Sequence, residues 1–429
     1  MTEAARRIST PLNAPQRPAA RPPEPSAASR RGLDWFVFFL ADVQTGFGPF
    51  IAVYLTQEKW TQVDIGLVLT AAGLVSLACQ VPGGALVDAA RSERFIATLG
   101  VIGVSVSALA IAAWPVFAFI MAAQVLHAAA SSVLGPAIAA ISLGLVGYAA
   151  IGERLGRNAR FASIGNGVAA AAMGAVGYWL SSYAVFVLTF ALGLPTLLAL
   201  WHIREREIDP ARAHGGIPPR TPRKTDLGLR MLVRNRALLI FAISMVLFHL
   251  ANAAMLPLMG SVVTMRSSDW ATVLVAACIV VPQVVVAVFS PWIGRRAQKF
   301  GRRHLLIIGF AALPLRAALI AFTSNPYLLV MVQALDGISA AVLGVLVPLT
   351  IADATRGTGH FNLAQGIVGC GVGIGASLST TLAGYMSDRF GSGAAFLGLA
   401  GIAVIGFLLV CASMPETRPR IDDEAVNQV

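Results

Sequence analysis

The tripeptide Leu40-Ala41-Asp42 recurs 210 positions later as Leu250-Ala251-Asn252, each copy inside an apolar run long enough to cross a bilayer. Gly84 and Gly294 share that offset, while Gln124-Val125-Leu126-His127 pairs with Gln333-Ala334-Leu335-Asp336, and Leu134-Gly135 with Leu343-Gly344, at 209. The chain therefore reads as two similar membrane halves in tandem. A membrane-crossing backbone must bond to itself, which leaves helices and closed barrels, and the alternating pattern of a barrel strand is absent.

Hydrophobic residues make up 56% of the chain and charged residues 12%, far from the soluble balance of about 45–50% and 25%. Twelve apolar runs fit spanning helices: 33–55, 65–87, 95–113, 116–145, 161–182, 184–201, 237–262, 270–293, 305–322, 327–351, 363–386 and 394–414. The predicted fold is an all-α integral membrane protein, with twelve transmembrane helices in two six-helix repeats. Its parts are a disordered tail at 1–32, a first half at 33–202, a basic linker at 203–236, a second half at 237–414 and a tail at 415–429.

The net charge of +11 follows topology, not nucleic acid. If both termini are cytoplasmic, 28 of the 32 lysines and arginines lie on inner segments; Lys59, Arg266 and Arg389 lie on outer loops, and Arg316 lies within a span. That asymmetry is the positive-inside rule and predicts a multi-pass protein of a bacterial inner membrane. Leu227, Leu229, Leu232 and Val233 beside Arg230 and Arg234 suit either a short interfacial helix or a solvated linker. Cys79, Cys278, Cys370 and Cys411 all fall in spans as small hydrophobes. No phosphate-binding loop, metal-ligand motif or nucleophile elbow is legible, so neither an enzyme nor a cofactor or metal site is expected.

Between spans 2 and 3 the sequence runs from Gly83-Gly84 through Asp88 to Arg91-Ser92-Glu93-Arg94; between spans 8 and 9 it runs from Gly294-Arg295-Arg296 through Gln298 to Gly301-Arg302-Arg303. Both resemble the G-x-x-x-D-x-x-G-R-[KR] loop signature of the major facilitator superfamily, at the loops where that family carries it. The first copy has Arg91 where the family has glycine, and the second has Gln298 at the acidic position. Pro415-Glu416-Thr417-Arg418 is similar to the acidic tetrapeptide that follows the last span in many members. The resemblance implies alternating access, with Asp88 and the neighbouring arginines latching the cytoplasmic side against the helix start at 362–365. A carboxylate suits that position because a helix N-terminus offers free N–H groups and a positive dipole end. Setting topology alone is the other reading of these arginines.

An ionisable side chain inside a span costs roughly 2.5–3.5 kcal/mol on insertion scales and normally faces a cavity or a partner. The polar residues concentrate in spans 1, 4, 7 and 10, which line the central cavity in the family: Asp42 and Thr45; Gln124 and His127; His249 and Asn252; Gln333 and Asp336. Spacings of three and four put each pair on one helix face. Arg316 lies nine residues before Asn325 and Asp336 eleven after it, so the two can pair across a helical hairpin. Asp42, Asp336 and His127 are candidate proton carriers, because buried carboxyl and imidazole groups exchange protons near neutrality. The expected function is a secondary active transporter, working as a monomer on a small organic solute with protons as coupling ion. A facilitative uniporter, and from another class a membrane-embedded sensor or enzyme, are the alternatives.

Overall fold

The computed structural model describes residues 25–45, 49–216, 235–259, 271–323 and 325–418, and every regular element among them is helical. Polar caps start several helices where the chain turns back: Thr61, Ser92, Ser181, Asn235 and Asn325 each accept a first-turn backbone N–H, satisfying donors that have no intrahelical partner. The first half comprises α1 (Ala27–Thr45), α2 (Pro49–Gln57), α3 (Gln62–Ala89), α4 (Glu93–Ala113), α5 (Phe117–Trp179) and α6 (Ser182–Trp201). A short α7 (Pro210–Ala213) precedes the second half: α8 (Arg236–Asn252), α9 (Ala271–Phe300), α10 (Arg303–Phe322), α11 (Pro326–Ala354), α12 (Phe361–Phe390) and α13 (Ser392–Ser413).

Ten described helices are long and apolar enough to cross a membrane. The 63-residue α5 holds two crossings, because the backbone turns at Gly147 (φ 68°, ψ 178°), a left-handed φ that glycine adopts without a β-carbon clash. The segment expected to be a loop between spans 4 and 5 is therefore helical, and Arg154, Arg157 and Arg160 ride on a helix. Similarly, α9 continues to Phe300, so the second loop signature is largely a helix end. The first crossing is α1 followed by α2, and α1 starts at Ala27 with Ser29 buried, ahead of the Leu33 boundary. The segment from Leu227 to Arg234 lies outside the described residues.

Alternating helix direction brings both described termini, α7 and the α3–α4, α9–α10 and α11–α12 turns to one end of the bundle, the linker end. One core packs around Phe36, Leu134, Ile141 and Phe186 of the first half. The other packs around Phe241, Phe310, Leu346 and Phe361, with Leu143 and Leu155 of α5 joining it. Outside, large apolar side chains stay exposed, with Tyr178, Trp179, Phe322 and Tyr327 at the far end. This is a lipid-facing surface with aromatics at an interface.

The halves meet along α3 with α12 and α5 with α9. A β-carbon at Gly84 would collide with the Asn362 carbonyl, and one at Gly366 with that of Gln80. On the other side Gly294 meets the Gly152 carbonyl, and Gly156 that of Ser290. Toward the far end, Gly66, Gly73, Gly167, Gly174 and Gly384 have nothing within 4 Å of such a carbon. Small residues thus let two helix pairs close on each other at the linker end.

Candidate functional site

Within the second half, Arg316 of α10 has a side chain 1% exposed and binds three acceptors on two other helices. Its Nη1 donates to Asp336 Oδ1 (2.5 Å) and Asn252 Oδ1 (2.6 Å), and its Nη2 to Gln333 Oε1 (2.8 Å). Gln333 passes the network on through its Nε2 to Met259 Sδ at 2.7 Å. A guanidinium offers five donors in a planar fork, so one buried arginine can hold α8 and α11 together. The Asp336 side chain is 26% exposed, which makes the carboxylate the accessible member of the pair.

The remaining sequence-derived cavity residues are placed more separately. Gln124 is buried, with no hydrogen bond to its Oε1 among the described residues. His127 Nε2 lies 3.2 Å from Ser131 Oγ, one turn along α5. His249 is half-buried on α8 with its ring edge-on to Phe248. Asp42 and Thr45 lie on the helical backbone of α1, but their side chains lie outside the described residues.

At the linker end, α12 begins after His360, which gives no side-chain cap. Asp88 from the other half supplies one: it accepts from Asn362 N (3.2 Å), Leu363 N (2.8 Å) and Asn362 Nδ2 (2.9 Å). These are the second and third helical N–H groups, those an N-cap side chain normally satisfies. Behind Asp88 lies fully buried His214, with Nδ1 3.7 Å from Asp88 Oδ1 and Nε2 3.2 Å from Glu93 Oε1. Burial alone would lower its pKa, but the Asp88 and Glu93 carboxylates outweigh that and hold it at about 9, so the imidazolium persists at neutral pH.

His214 belongs to the linker, which is bound to both halves. Asp209 N donates to Gly144 O (3.1 Å), Asn362 Nδ2 to Ala213 O (3.3 Å) and Gly357 N to Gly215 O (2.7 Å). Gly215 and Gly216 allow the turn, with φ of 85° and 99°. Composition gave no sign of this. A lone histidine in a polar, proline-rich stretch has no periodicity to reveal that it is buried.

The arginines of the loop signature do not join Asp88 at α12, contrary to expectation. Arg91 is exposed, and among the described residues the acid that Arg94 Nη1 approaches is Glu205, with Oε2 at 3.9 Å. Arg302 and Arg303 work within their own half: Arg302 Nε donates to Asp353 Oδ2 (2.8 Å) and Arg303 Nη2 to Cys411 O (2.6 Å). Their backbone N–H groups meet Glu416 at the start of α10, at 2.8 and 3.1 Å. Burial pushes the Glu416 carboxyl up, but those N–H groups and that of Arg418 hold it below its ordinary value. Gly301, with φ 95°, leaves room for this carboxylate. Gln298 stands where the first signature has Asp88, and its Nε2 donates to Tyr148 O (3.2 Å) just past the Gly147 turn.

A second linker-end cluster carried no sequence signal. Asp34 of α1, buried, accepts from Arg154 Nη2 (2.6 Å) and Arg157 Nη2 (2.5 Å) of α5, while Arg154 Nε bonds Asn158 Oδ1 (2.8 Å). Its parts are 120 positions apart in the chain, and their meeting depends on the turn at Gly147.

Residues 35–283 and 241–427 match the family model of the Major Facilitator Superfamily. The chain belongs to the major facilitator superfamily. Two MFS-type transporters of Mycobacterium tuberculosis, from the CDC 1551 / Oshkosh and H37Rv strains and both described as uncharacterized, are 41% identical to it over 392 residues, covering 90% of this chain and 93% of each relative. The solved Escherichia coli fucose:proton symporter superposes with a TM-score of 0.73 at 14% identity, over 89% of this chain and 98% of that one. A proton:xylose symporter gives 0.68 at 13%, over 91% and 95%. As a superfamily member the chain is an integral, multi-pass membrane protein and a secondary transporter.

Proposed function

We propose that the chain is a proton-coupled carrier of a small organic solute in a bacterial inner membrane, with its linker end at the cytoplasm. The observation that carries this reading is the Arg316–Asp336 pair, in which a buried guanidinium is neutralised by a carboxylate that remains partly accessible. Protonating Asp336 frees Arg316 to bind another acceptor or to let α8 and α11 shift, so proton occupancy and helix position become linked. The fold neighbours described as proton symporters set a precedent for such coupling. Asp42, whose repeat partner Asn252 cannot titrate, is the second proton-carrying candidate. The Asp88 cap and the close glycine crossings act as the cytoplasmic latch, and the sign balance of the basic residues supports an inside position for it.

Solutes are found first by ligand-induced stabilisation of purified protein across organic acids, amines, sugars and hydrophobic drugs. Flux in proteoliposomes with and without a pH gradient then tests coupling. Asp336→Asn is expected to lose gradient-driven transport while retaining solute binding; undiminished gradient-driven flux in both Asp336→Asn and Asp42→Asn would refute proton coupling through either acid. Removing one partner of the buried pair is expected to cost about 3–5 kcal/mol, and Arg316→Met with Asp336→Leu to recover most of it. Additive losses in that double-mutant cycle would show that the pair is not energetically coupled.

A further inference from the structure

A cavity of about 450 Å³ opens on the side of the α5–α9 crossing, lined by Glu153, Arg157, Arg160, Phe161, Ile164 and Arg295 among others. Arg157 is already held by Asp34. Arg160 Nε donates to Ala287 O across the crossing at 2.9 Å, which leaves its two terminal nitrogens without an acceptor among the described residues. Arg295, on α9, has no acceptor there either. One helix from each half therefore offers an unsatisfied guanidinium to the same groove, against the single carboxylate of Glu153.

The groove is ordered by depth. Toward its linker end sit Glu153, Arg157 and Arg295, with Arg157 over the Phe161 ring at 5.7 Å, and Arg160 follows at the level of Ala287. Beyond Arg160 the exposed residues are Ile164 and Val168, one and two turns further along α5, and Val284 on α9, with Val288 beside Arg160 itself. Cations and an aromatic ring at one end of a groove whose other end is an apolar, exposed stripe match a phospholipid more closely than a soluble anion.

The other crossing lacks the feature. At the 210-residue offset Arg160 corresponds to Cys370, Arg157 to Ile367 and Arg295 to Ala85. Topology alone would not concentrate arginines at one crossing and place apolar residues at its repeat equivalent. The basic groove also lies at the crossing where the latching carboxylate is replaced by Gln298.

We propose that this groove binds the phosphate headgroup of an anionic phospholipid, bridging Arg160 of the first half and Arg295 of the second. Charged hydrogen bonds and the surface potential of an anionic leaflet both favour the contact.

The test uses purified full-length protein and native mass spectrometry with phosphatidylglycerol or phosphatidylcholine. Phosphatidylglycerol is expected to be retained preferentially, and Arg160→Gln and Arg295→Gln each to weaken its retention by about tenfold. Arg389→Gln, at the far end, is expected to leave retention unchanged. Equal retention of the two lipids, or unchanged retention in both groove variants, would overturn the proposal. So would displacement of the lipid by an equal concentration of inorganic phosphate, which would mark a soluble-anion site. The preference of the wild-type protein for one headgroup needs no variant, so the proposal stays testable if a substituted chain fails to fold.

Discussion

The α3–α12 and α5–α9 crossings share one backbone design with different chemistry laid on it. Gly84 against Asn362 maps onto Gly294 against Gly152, and Gly366 against Gln80 onto Gly156 against Ser290, every residue shifted by 210. On that common frame the first crossing carries Asp88 and His214, a carboxylate and an imidazolium closing on a helix start. At the position equivalent to Asp88 the second carries the Gln298 amide, donating to one carbonyl, with Arg160 bonding Ala287 O and Ser163 bonding Gln283 further along. Repetition thus preserved the close approach, which depends on glycine, while the polar contact that biases closure diverged.

The largest expected effect tests the shared frame. Gly84→Val and Gly294→Val each press a side chain against backbone that cannot yield, and overpacking of this kind costs about 1–3 kcal/mol. Both are expected to open the linker end, read as faster labelling of cysteines placed there. If only one does so, the crossings are not mechanically equivalent.

The divergent chemistry comes next. Asp88→Ala removes the cap of α12 and is expected to cost closure about 1–2 kcal/mol, whereas Gln298→Ala removes a neutral bond worth about 1 kcal/mol or less. Equal labelling changes in the two variants would erase the proposed asymmetry.

A smaller effect separates the crossings by pH. His214 is raised from 6.5 to about 9 in the closed arrangement, so its contribution is fully present below about 6.5 and is lost as pH rises through about 9. Wild-type labelling at the linker end is expected to increase across that window, and His214→Gln to flatten the dependence. An unchanged profile in the variant would assign the pH response to another group. Smallest of all, Arg91→Ala is expected to change closure by less than about 0.5 kcal/mol, because the side chain is exposed.

The twelve crossings, the six-plus-six repeat and the meeting of Asp88 with the start of α12 were legible because each rests on local pattern: apolar run length, a fixed offset, a carboxylate in a spaced motif. The pairing of Arg316 with Asp336 followed from counting residues on either side of one turn. The partners of His214, Asp34 and Glu416 were not legible, since each acts on residues more than 100 positions away; His214 sits in a segment whose composition marks only exposure, and Glu416 was visible only as part of a terminal tetrapeptide. Gly156 and Gly366 stand at the same 210 offset and were available, but the meaning of the pair appears only once both are seen to touch a carbonyl of the other half. The two departures in the loop signatures, Arg91 and Gln298, proved informative: the first points to solvent, and the second marks the crossing without a carboxylate cap.

The linker strap also determines how the polypeptide can be divided. Residues 209–216 hold Gly144 on one side and Asn362 and Gly357 on the other, so they are a working part placed between the halves and not slack chain. Cutting the protein into two co-expressed fragments within 217–234 would leave this part attached to the N-terminal fragment, with Asp88 and Glu93 in the same molecule. A cut ahead of Glu205 would transfer it to the C-terminal fragment, and His214 would then have to find its carboxylates by assembly between chains.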